Sequence, residues 1–283
     1  MKYFVLLSLF CCCMQLNAQS PTLRVLSFNI RYDSPRDTGN LWVDRKEKVA
    51  AVIRFHQADL IGIQEGLYHQ LEQLDSLLPD HDYLGVGRDD GRQKGEFTAI
   101  FYRRKRLQPI NTAHFWLSET PEVPGSMSWE TACTRMVSHV HFRDLLTGQF
   151  FYHFNTHYDH ISHEARYKGT LLLQEEMSTL PDSAFVLLTG DFNVTQEDST
   201  YQLLSTFVKD TQRLSPNGGY GPDFSYKAFD QPGKPGHIID YIFIRPHPGV
   251  QVLRHGLLSD NWDGKYPSDH LPVLLELRLT AGQ

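Results

Sequence analysis

Six short apolar runs in this chain end or begin in polar residues that can hold a cation or move a proton. They are Leu26-Ser-Phe-Asn29, Ile61-Gly-Ile-Gln-Glu65, Phe154-Asn-Thr-His157, Leu188-Thr-Gly-Asp191-Phe-Asn193, Ile238-Ile-Asp240 and Ser268-Asp269-His270. One such residue alone is an ordinary cap or turn former. Turns have no general need for this combination of Asn, Glu, His and Asp, and strand ends are where open α/β sheets bind ligands. Asn29, Glu65, Asp191, Asn193 and Asp269 offer carboxylates and amides suited to a hard divalent ion. Magnesium typically takes only one or two protein carboxylates, so Glu65 and Asp269 with water and a substrate phosphate suffice. A catalytic zinc would bring several His or Cys ligands at short spacing, whereas His157 and His270 stand far apart. If the backbone is extended there, Asp191 and Asn193 face one side and Phe192 the other, placing a carboxylate that can deprotonate water beside an amide that can hold it.

Elements that could position these groups follow from periodicity. Runs rich in β-branched and aromatic residues predict strands over Leu23–Ile30, Leu60–Gln64, Phe97–Tyr102, Met136–Phe142, Phe150–Thr156, Ala184–Thr189, Ile238–Ile244 and Pro272–Leu279. Helical spacing is present in Asp44–Phe55, with Val49, Val52, Ile53 and Phe55 on one face, and in Leu67–Leu78. Helices are also predicted over His163–Leu180 and Asp198–Phe207, the latter N-capped by Asp198 or Ser199. Strands and helices alternate early and strands follow one another later, which predicts mixed sheets covered by helices and not a regular parallel barrel. Segments 121–128 and 215–222, rich in Gly and Pro, read as surface loops, and Arg103-Arg-Lys-Arg106 as a solvated turn.

The 283 residues are 41% hydrophobic and 21% charged, as in an ordinary folded soluble protein. Residues 1–18 have the layout of a secretory signal peptide: Lys2, an apolar stretch from Tyr3 to Met14, and a cleavable end at Ala18. The remaining 19–283 read as a single domain in an exported protein. Cys11-Cys12-Cys13 raises a lipid anchor, which bulky Phe10 disfavours. Cleavage leaves only Cys133, expected as a small buried residue, so an intrachain disulfide and a cysteine-based zinc cluster are excluded. It also leaves 26 basic against 33 acidic residues, a formal charge of −7, which does not favour a nucleic-acid partner gripped through a basic surface. No membrane span is expected beyond the signal segment, and nothing specifies an oligomeric state.

The set Asn29, Gln64-Glu65, Asn155-Thr-His157, Gly190-Asp191-Phe-Asn193, Ile239-Asp240-Tyr241 and Ser268-Asp269-His270-Leu-Pro272 resembles the endonuclease/exonuclease/phosphatase superfamily, the fold of deoxyribonuclease I. Asn155-Thr-His-Tyr-Asp-His160 with Glu164-Ala-Arg166 is similar to exported bacterial members. The resemblance implies an α/β four-layer sandwich, two central mixed β-sheets covered by helices, with the site at one end. It implies phosphate-ester cleavage with Mg²⁺ or Mn²⁺. In this analogy Glu65 binds the metal, Asn29 supports that site, and Asp269 is a direct or outer ligand, while Asp191 and Asn193 place the attacking water and a phosphate oxygen. Asp240 orients His270, Glu96 orients His157, and Arg135 binds phosphate. His270 is placed by the attacking water and His157 on the scissile phosphate. Arg166 extends the site to a second anion, and Asp159 extends it or caps the following helix. The expected activity is an exported Mg²⁺-dependent phosphohydrolase, a phosphodiesterase ahead of a monoesterase. The substrate is open among nucleic acid, phospholipid or sphingolipid headgroup, inositol phosphate and phosphorylated glycan, and the other class is a non-catalytic binding protein on the same scaffold.

Overall fold

The computed structural model describes residues 22–229 and 236–279. The expected signal peptide, with Cys11 to Cys13, lies outside the described residues. The first half runs β1 (Thr22–Asn29), α1 (Trp42–Phe55), β2 (Leu60–Gln64), α2 (Tyr68–Leu77), β3 (His81–Leu84), β4 (Ile100–Arg103), β5 (Leu107–Trp116) and β6 (Met136–Asp144). The second half runs β7 (Phe150–His157), α3 (His163–Ser178), β8 (Phe185–Asp191), α4 (Ser199–Phe207), β9 (Lys209–Asp210), α5 (Thr211–Leu214), β10 (Gly219–Tyr220), β11 (Asp240–Ile244), β12 (Val250–Leu257) and β13 (Val273–Leu279).

These strands form a seven-stranded sheet, β10-β12-β13-β1-β2-β4-β3, and a six-stranded sheet, β5-β6-β7-β8-β11-β9. Both are mixed: β1–β2 and β7–β8 pair in parallel, while β13 and β11 run antiparallel to β1 and β8. Val25, Leu60, Ile100, Val140, Leu187 and Leu275 belong to an apolar core between the sheets. A second core packs α1 and α2 on the outside of the first sheet through Val49, Ile53, Leu71 and Leu74. A third seats α3 and α4 on the second sheet through Leu173, Met177, Tyr201 and Leu204. Four layers result, as expected.

Inside this apolar sandwich runs a buried polar seam. Asn155 Nδ2, on β7, donates across the sheets to the carbonyls of Ile63 (2.8 Å) and Ala99 (2.9 Å). Its Oδ1 accepts from Gln64 Nε2 (2.7 Å) and the Thr189 hydroxyl (3.0 Å), and that hydroxyl pairs with His153 Nε2 (2.8 Å). The seam requires glycine opposite it: a Cβ on Gly62 would lie 2.1 Å from Thr189 Oγ1 and 2.6 Å from Asn155 Oδ1.

Departures from the sequence reading have physical reasons. Strands β3, β5, β9, β10 and β12 were not expected: β9 and β10 are two residues each, too short for a periodic signal, with β10 inside the 215–222 segment read as a loop, and β5 is an edge strand with a largely polar, half-exposed centre and an irregular register at Pro109, so it lacks a clean apolar alternation. Phe55 is 78% exposed, because at 100° per residue it does not share the face of Val49, Val52 and Ile53. Arg106 is not in solvent: it is buried and donates to Asp144 Oδ2 at 2.8 Å.

Two expectations follow. Gly62→Val should lower stability by about 1–3 kcal/mol or more, read as a fall in thermal midpoint, since overpacking here also breaks hydrogen bonds. Burial holds the His153 imidazole down to about 3. Below pH 6.5 the unfolded chain therefore takes up a proton that the native state refuses, and stability falls as pH falls. Relative to His153→Gln, the wild type should lose about 2 kcal/mol between pH 6.5 and 5 in denaturant titrations.

Candidate active site

Sheet register gathers the polar strand ends at one edge of the sandwich. Asn29 is opposite Gln64, one residue before Glu65, while His157 is opposite Asp191 and Asp191 opposite Asp240. β13 begins beside Ser27, which brings the preceding Asp269-His270 to the same edge. Of these, Glu65, His157, Asp191, Asp269 and His270 line a cavity of about 480 Å³ together with Arg31, Arg88, Arg135 and Tyr226.

Asn29 ties the two sheets together at its floor. Its Nδ2 donates to Glu65 Oε1 and to Asp191 Oδ2, each at 3.0 Å, and its Oδ1 accepts the Arg31 amide. Three site residues, Arg31, Glu65 and Asn193, have φ between 51° and 63°, a conformation that is costly for side chains other than Asn. Asn193 is thus not extended. Its left-handed turn lets its own N–H donate to Asp191 Oδ1 and its amide to the Tyr158 carbonyl, so it fixes the Asp191 carboxylate while also lining the cavity. Phe192 points the other way, into the core under α4. Gly190 serves close approach, not the turn: a Cβ there would sit 2.7 Å from the Thr156 carbonyl of β7.

The acidic groups suit a divalent metal. Ligand atoms of Glu65, Asp191 and His270 lie within 4.8 Å of one another. Asp269 Oδ2 and Glu65 Oε2 flank the Arg31 guanidinium at 3.7 and 3.8 Å. Burial, then Asp240, pushes Asp191 up to about 7, and burial also raises Asp269. Burial would raise Glu65 too, but His270, the Asn29 amide and Arg31 outweigh it and hold that carboxyl below its usual range. Buried carboxylates that resist ionisation beside one another are relieved by a cation, and an oxygen-rich set is what a hard divalent ion takes. Cys133, Asp159 and His160 form a second close group, but a guanidinium fills that role, since Arg135 Nη2 lies 3.1 Å from His160 Nδ1 and its Nε 3.7 Å from Asp159.

The two histidines are set oppositely. Burial would lower His270, yet Asp240, Asp191 and Asp269 overcome it and raise the imidazole to about 10. Its Nδ1 bonds Asp240 Oδ2 at 2.8 Å, the same oxygen that accepts the Ser225 hydroxyl at 2.7 Å, and the Tyr226 ring packs against it at 4.7 Å. His157 is held well below its ordinary value by burial, Arg135 and Arg88, and so is neutral. Nε2 of His157 is 3.4 Å and Nε2 of His270 3.8 Å from Asp191 Oδ2. Glu96 does not bond His157 directly: the gap is 3.9 Å, and Arg88 holds both Glu96 oxygens at 2.6 and 2.9 Å.

Asp159 and Arg166 lie outside the cavity lining. Asp159 accepts from the N–H groups of Ala132, Ile161 and Ser162 and from Thr131, which ties the 131–135 loop to the turn before α3. Ser162, not Asp159, caps α3. Arg166 donates to the Asp159 carbonyl at 2.9 Å. Cys133, half-buried, borders the cavity. Sequence reading missed Arg31, Arg88, Ser225 and Tyr226. Arg31 stands two residues after a strand-end Asn and carried a positional signal; the other three are on loops with no periodicity to mark them.

The profile of the Endonuclease/Exonuclease/phosphatase family matches residues 26–270. A solved endonuclease/exonuclease/phosphatase family protein from Bacteroides thetaiotaomicron is 37% identical, with a TM-score of 0.86 over 92% of this chain and 99% of that one. A mannosyl-6-phosphatase from Bacteroides thetaiotaomicron VPI-5482 is also 37% identical, with a TM-score of 0.85 over 90% of this chain and 99% of its own. The human nocturnin catalytic domain, 20% identical with a TM-score of 0.72 over 93% of this chain and 95% of that one, shares the fold. The strand-end carboxylates and histidines thus sit in a chain that belongs to the endonuclease/exonuclease/phosphatase family and is a metal-dependent phosphoric ester hydrolase.

Proposed function

We propose that the protein is a Mg²⁺- or Mn²⁺-dependent phosphomonoesterase acting on a small, hydroxyl-rich alcohol such as a phosphorylated sugar. The cavity carries this reading. Its volume of about 480 Å³ suits a small molecule, and Arg31, Arg88 and Arg135 border it. A monoester presents more negative charge than a diester and benefits more from guanidinium groups. The sequence preference for a diester therefore yields to a monoester. Beyond the phosphate, Arg88 is paired with Glu96, a donor and acceptor set that favours hydroxyl groups over a second anion. The mannosyl-6-phosphatase at 37% identity supports the same substrate class.

In this scheme Glu65 and Asp269 would hold the metal. When bound, the ion would supply charge neutralisation to the phosphoryl group. Asp191, with its raised carboxyl pKa, accepts the proton of the attacking water while Asn193 and Asn29 fix its orientation. The His270 imidazolium, held by Asp240, and the Arg135 guanidinium meet charge developing on the phosphoryl group, and as the ester P–O bond breaks the departing alkoxide takes a proton from solvent water and leaves as the alcohol. We further propose that the protein is exported after removal of residues 1–18, on the strength of their charge and apolar pattern.

A substrate panel assayed with Mg²⁺ should give turnover of hexose phosphates well above that of bis(p-nitrophenyl) phosphate or single-stranded DNA; faster diester or DNA cleavage would refute the monoester reading. EDTA should abolish turnover, and added Mg²⁺ or Mn²⁺ should restore it. Asp191→Asn and His270→Ala should each lower kcat by about 10²–10⁴ with the fold retained by circular dichroism. Unchanged rates in both variants would remove these residues from the chemistry.

A further inference from the structure

Arg45 does not line the cavity, yet among the described residues it is one of the largest side chains to be fully buried. It stands in the first turn of α1, where the helix dipole disfavours a cation and where Leu41 supplies no side-chain cap. Helix formation therefore gives no reason for it. Its guanidinium donates four hydrogen bonds, and every acceptor is a main-chain carbonyl. Nε bonds Asn40 (2.7 Å), Nη1 bonds both Ile30 (2.7 Å) and Pro267 (2.8 Å), and Nη2 bonds Arg31 (3.2 Å). The Trp42 and Phe229 rings lie 5.5 and 5.4 Å from it. Burial lowers the group to about 10, so it stays charged at neutral pH.

Those acceptors come from three segments: Asn40 precedes α1, Ile30 and Arg31 follow β1, and Pro267 precedes Ser268-Asp269-His270. One nitrogen, Nη1, thus joins the residue after Asn29 to the residue two before Asp269. Ser268 repeats the tie one step on, its hydroxyl donating to the Asn29 carbonyl at 2.7 Å. Two adjacent residues of one segment are pinned to two adjacent residues of the other, which fixes direction as well as distance. Arg31, at φ 58°, turns its carbonyl inward, where Arg45 and Gln70 Nε2 (3.0 Å) hold it. We propose that Arg45 is a positioning residue for the metal end of the site: by tying Ile30 and Arg31 to Pro267 it fixes where Asp269 offers its carboxylate. This rests on the reading that Glu65 and Asp269 hold the metal. The shape of the group is essential, because lysine keeps the charge but carries three donors on one rotating nitrogen and does not reproduce four bonds in one plane.

The test titrates Mn²⁺ calorimetrically into the full-length protein and three variants, each at a temperature where circular dichroism reports it folded. The variants are Arg45→Lys, Asp269→Asn and, as a control, Arg106→Lys. Arg106 is a second buried arginine, bonded to Asp144 and to the Thr22 carbonyl at the end of β1 away from the site. Asp269→Asn should weaken Mn²⁺ binding, as the metal reading requires. Arg45→Lys should weaken it about tenfold or more. Arg106→Lys, at a comparable fall in thermal midpoint, should bind Mn²⁺ as the wild type does. Unchanged affinity in Arg45→Lys beside a weakened Asp269→Asn overturns the role of Arg45 and leaves the metal reading standing. Unchanged affinity in Asp269→Asn overturns both, whatever Arg45→Lys does. An equal loss in Arg106→Lys also overturns the proposal, because general loosening would then explain it. Should Arg45→Lys not fold, a crystal structure of the wild type grown with Mn²⁺ decides. Both Nη1 bonds should be intact there, with Asp269 on the ion or on one of its waters; a Pro267 carbonyl released from Arg45, or Asp269 turned from the ion, overturns the proposal.

Discussion

The Asn155 side chain is the constraint on which the site depends. Two sheets packed only through Val, Leu, Ile and Phe could slide by fractions of a residue at little cost, because dispersion and burial are not directional. Asn155 removes that freedom by donating from β7 to two carbonyls of the opposite sheet, Ile63 and Ala99, while Gln64 and Thr189 close on its oxygen. Ile63 is two residues before Glu65 and Asn155 two before His157. The clamp therefore sets the distance between the sheet that supplies Glu65 and Asp269 and the sheet that supplies His157, Asp191 and Asp240. Each carbonyl or amide left unpaired in that interior would cost about 1–3 kcal/mol, so the seam admits one register. Glycine at position 62 is the counterpart of that polarity, since any side chain there would occupy the space of the network.

On that frame, electrostatics divides one edge into unlike halves. Carboxylates from three strand ends meet where Asn29, Arg31 and His270 only partly offset them, which suits a divalent cation. Across Asp191 the excess is positive, with Arg88 and Arg135 lowering His157 while Asp240 raises His270. Two histidines of the same intrinsic basicity thereby take different roles, one a charged donor and one a neutral one. Positive φ at Arg31, Glu65 and Asn193 is the local cost of aiming these groups into the cavity, and the packed sheets on either side hold it.

Much of this was legible in the sequence because it obeys periodic rules. The buried central strands β2 and β8 start as apolar runs, and β1 and β7 are rich in apolar and aromatic residues, so the polar residues that end them stand out against that background. What escaped was aperiodic or non-local. Edge strands β3 and β5 carry mixed side chains that do not alternate cleanly. Arg88 and Tyr226 come to the cavity from loops, where spacing carries no information about direction. The expected direct Glu96–His157 pair failed for a related reason: Arg88, eight residues before Glu96, competes for the carboxylate, and a sequence does not rank two partners for one acid. Asp159 illustrates the converse, a conspicuous acid beside the site whose oxygens are consumed by its own turn and by the 131–135 loop.

The central claim is that inter-sheet register, set by a residue that does not line the cavity, fixes the metal-binding end of the sandwich. Calorimetric titration of Mn²⁺ into Asn155→Ala, at a temperature where circular dichroism reports it folded, tests this most directly. The account predicts metal affinity weakened about 10–100-fold relative to the wild type. A folded variant that binds Mn²⁺ with unchanged affinity would contradict it.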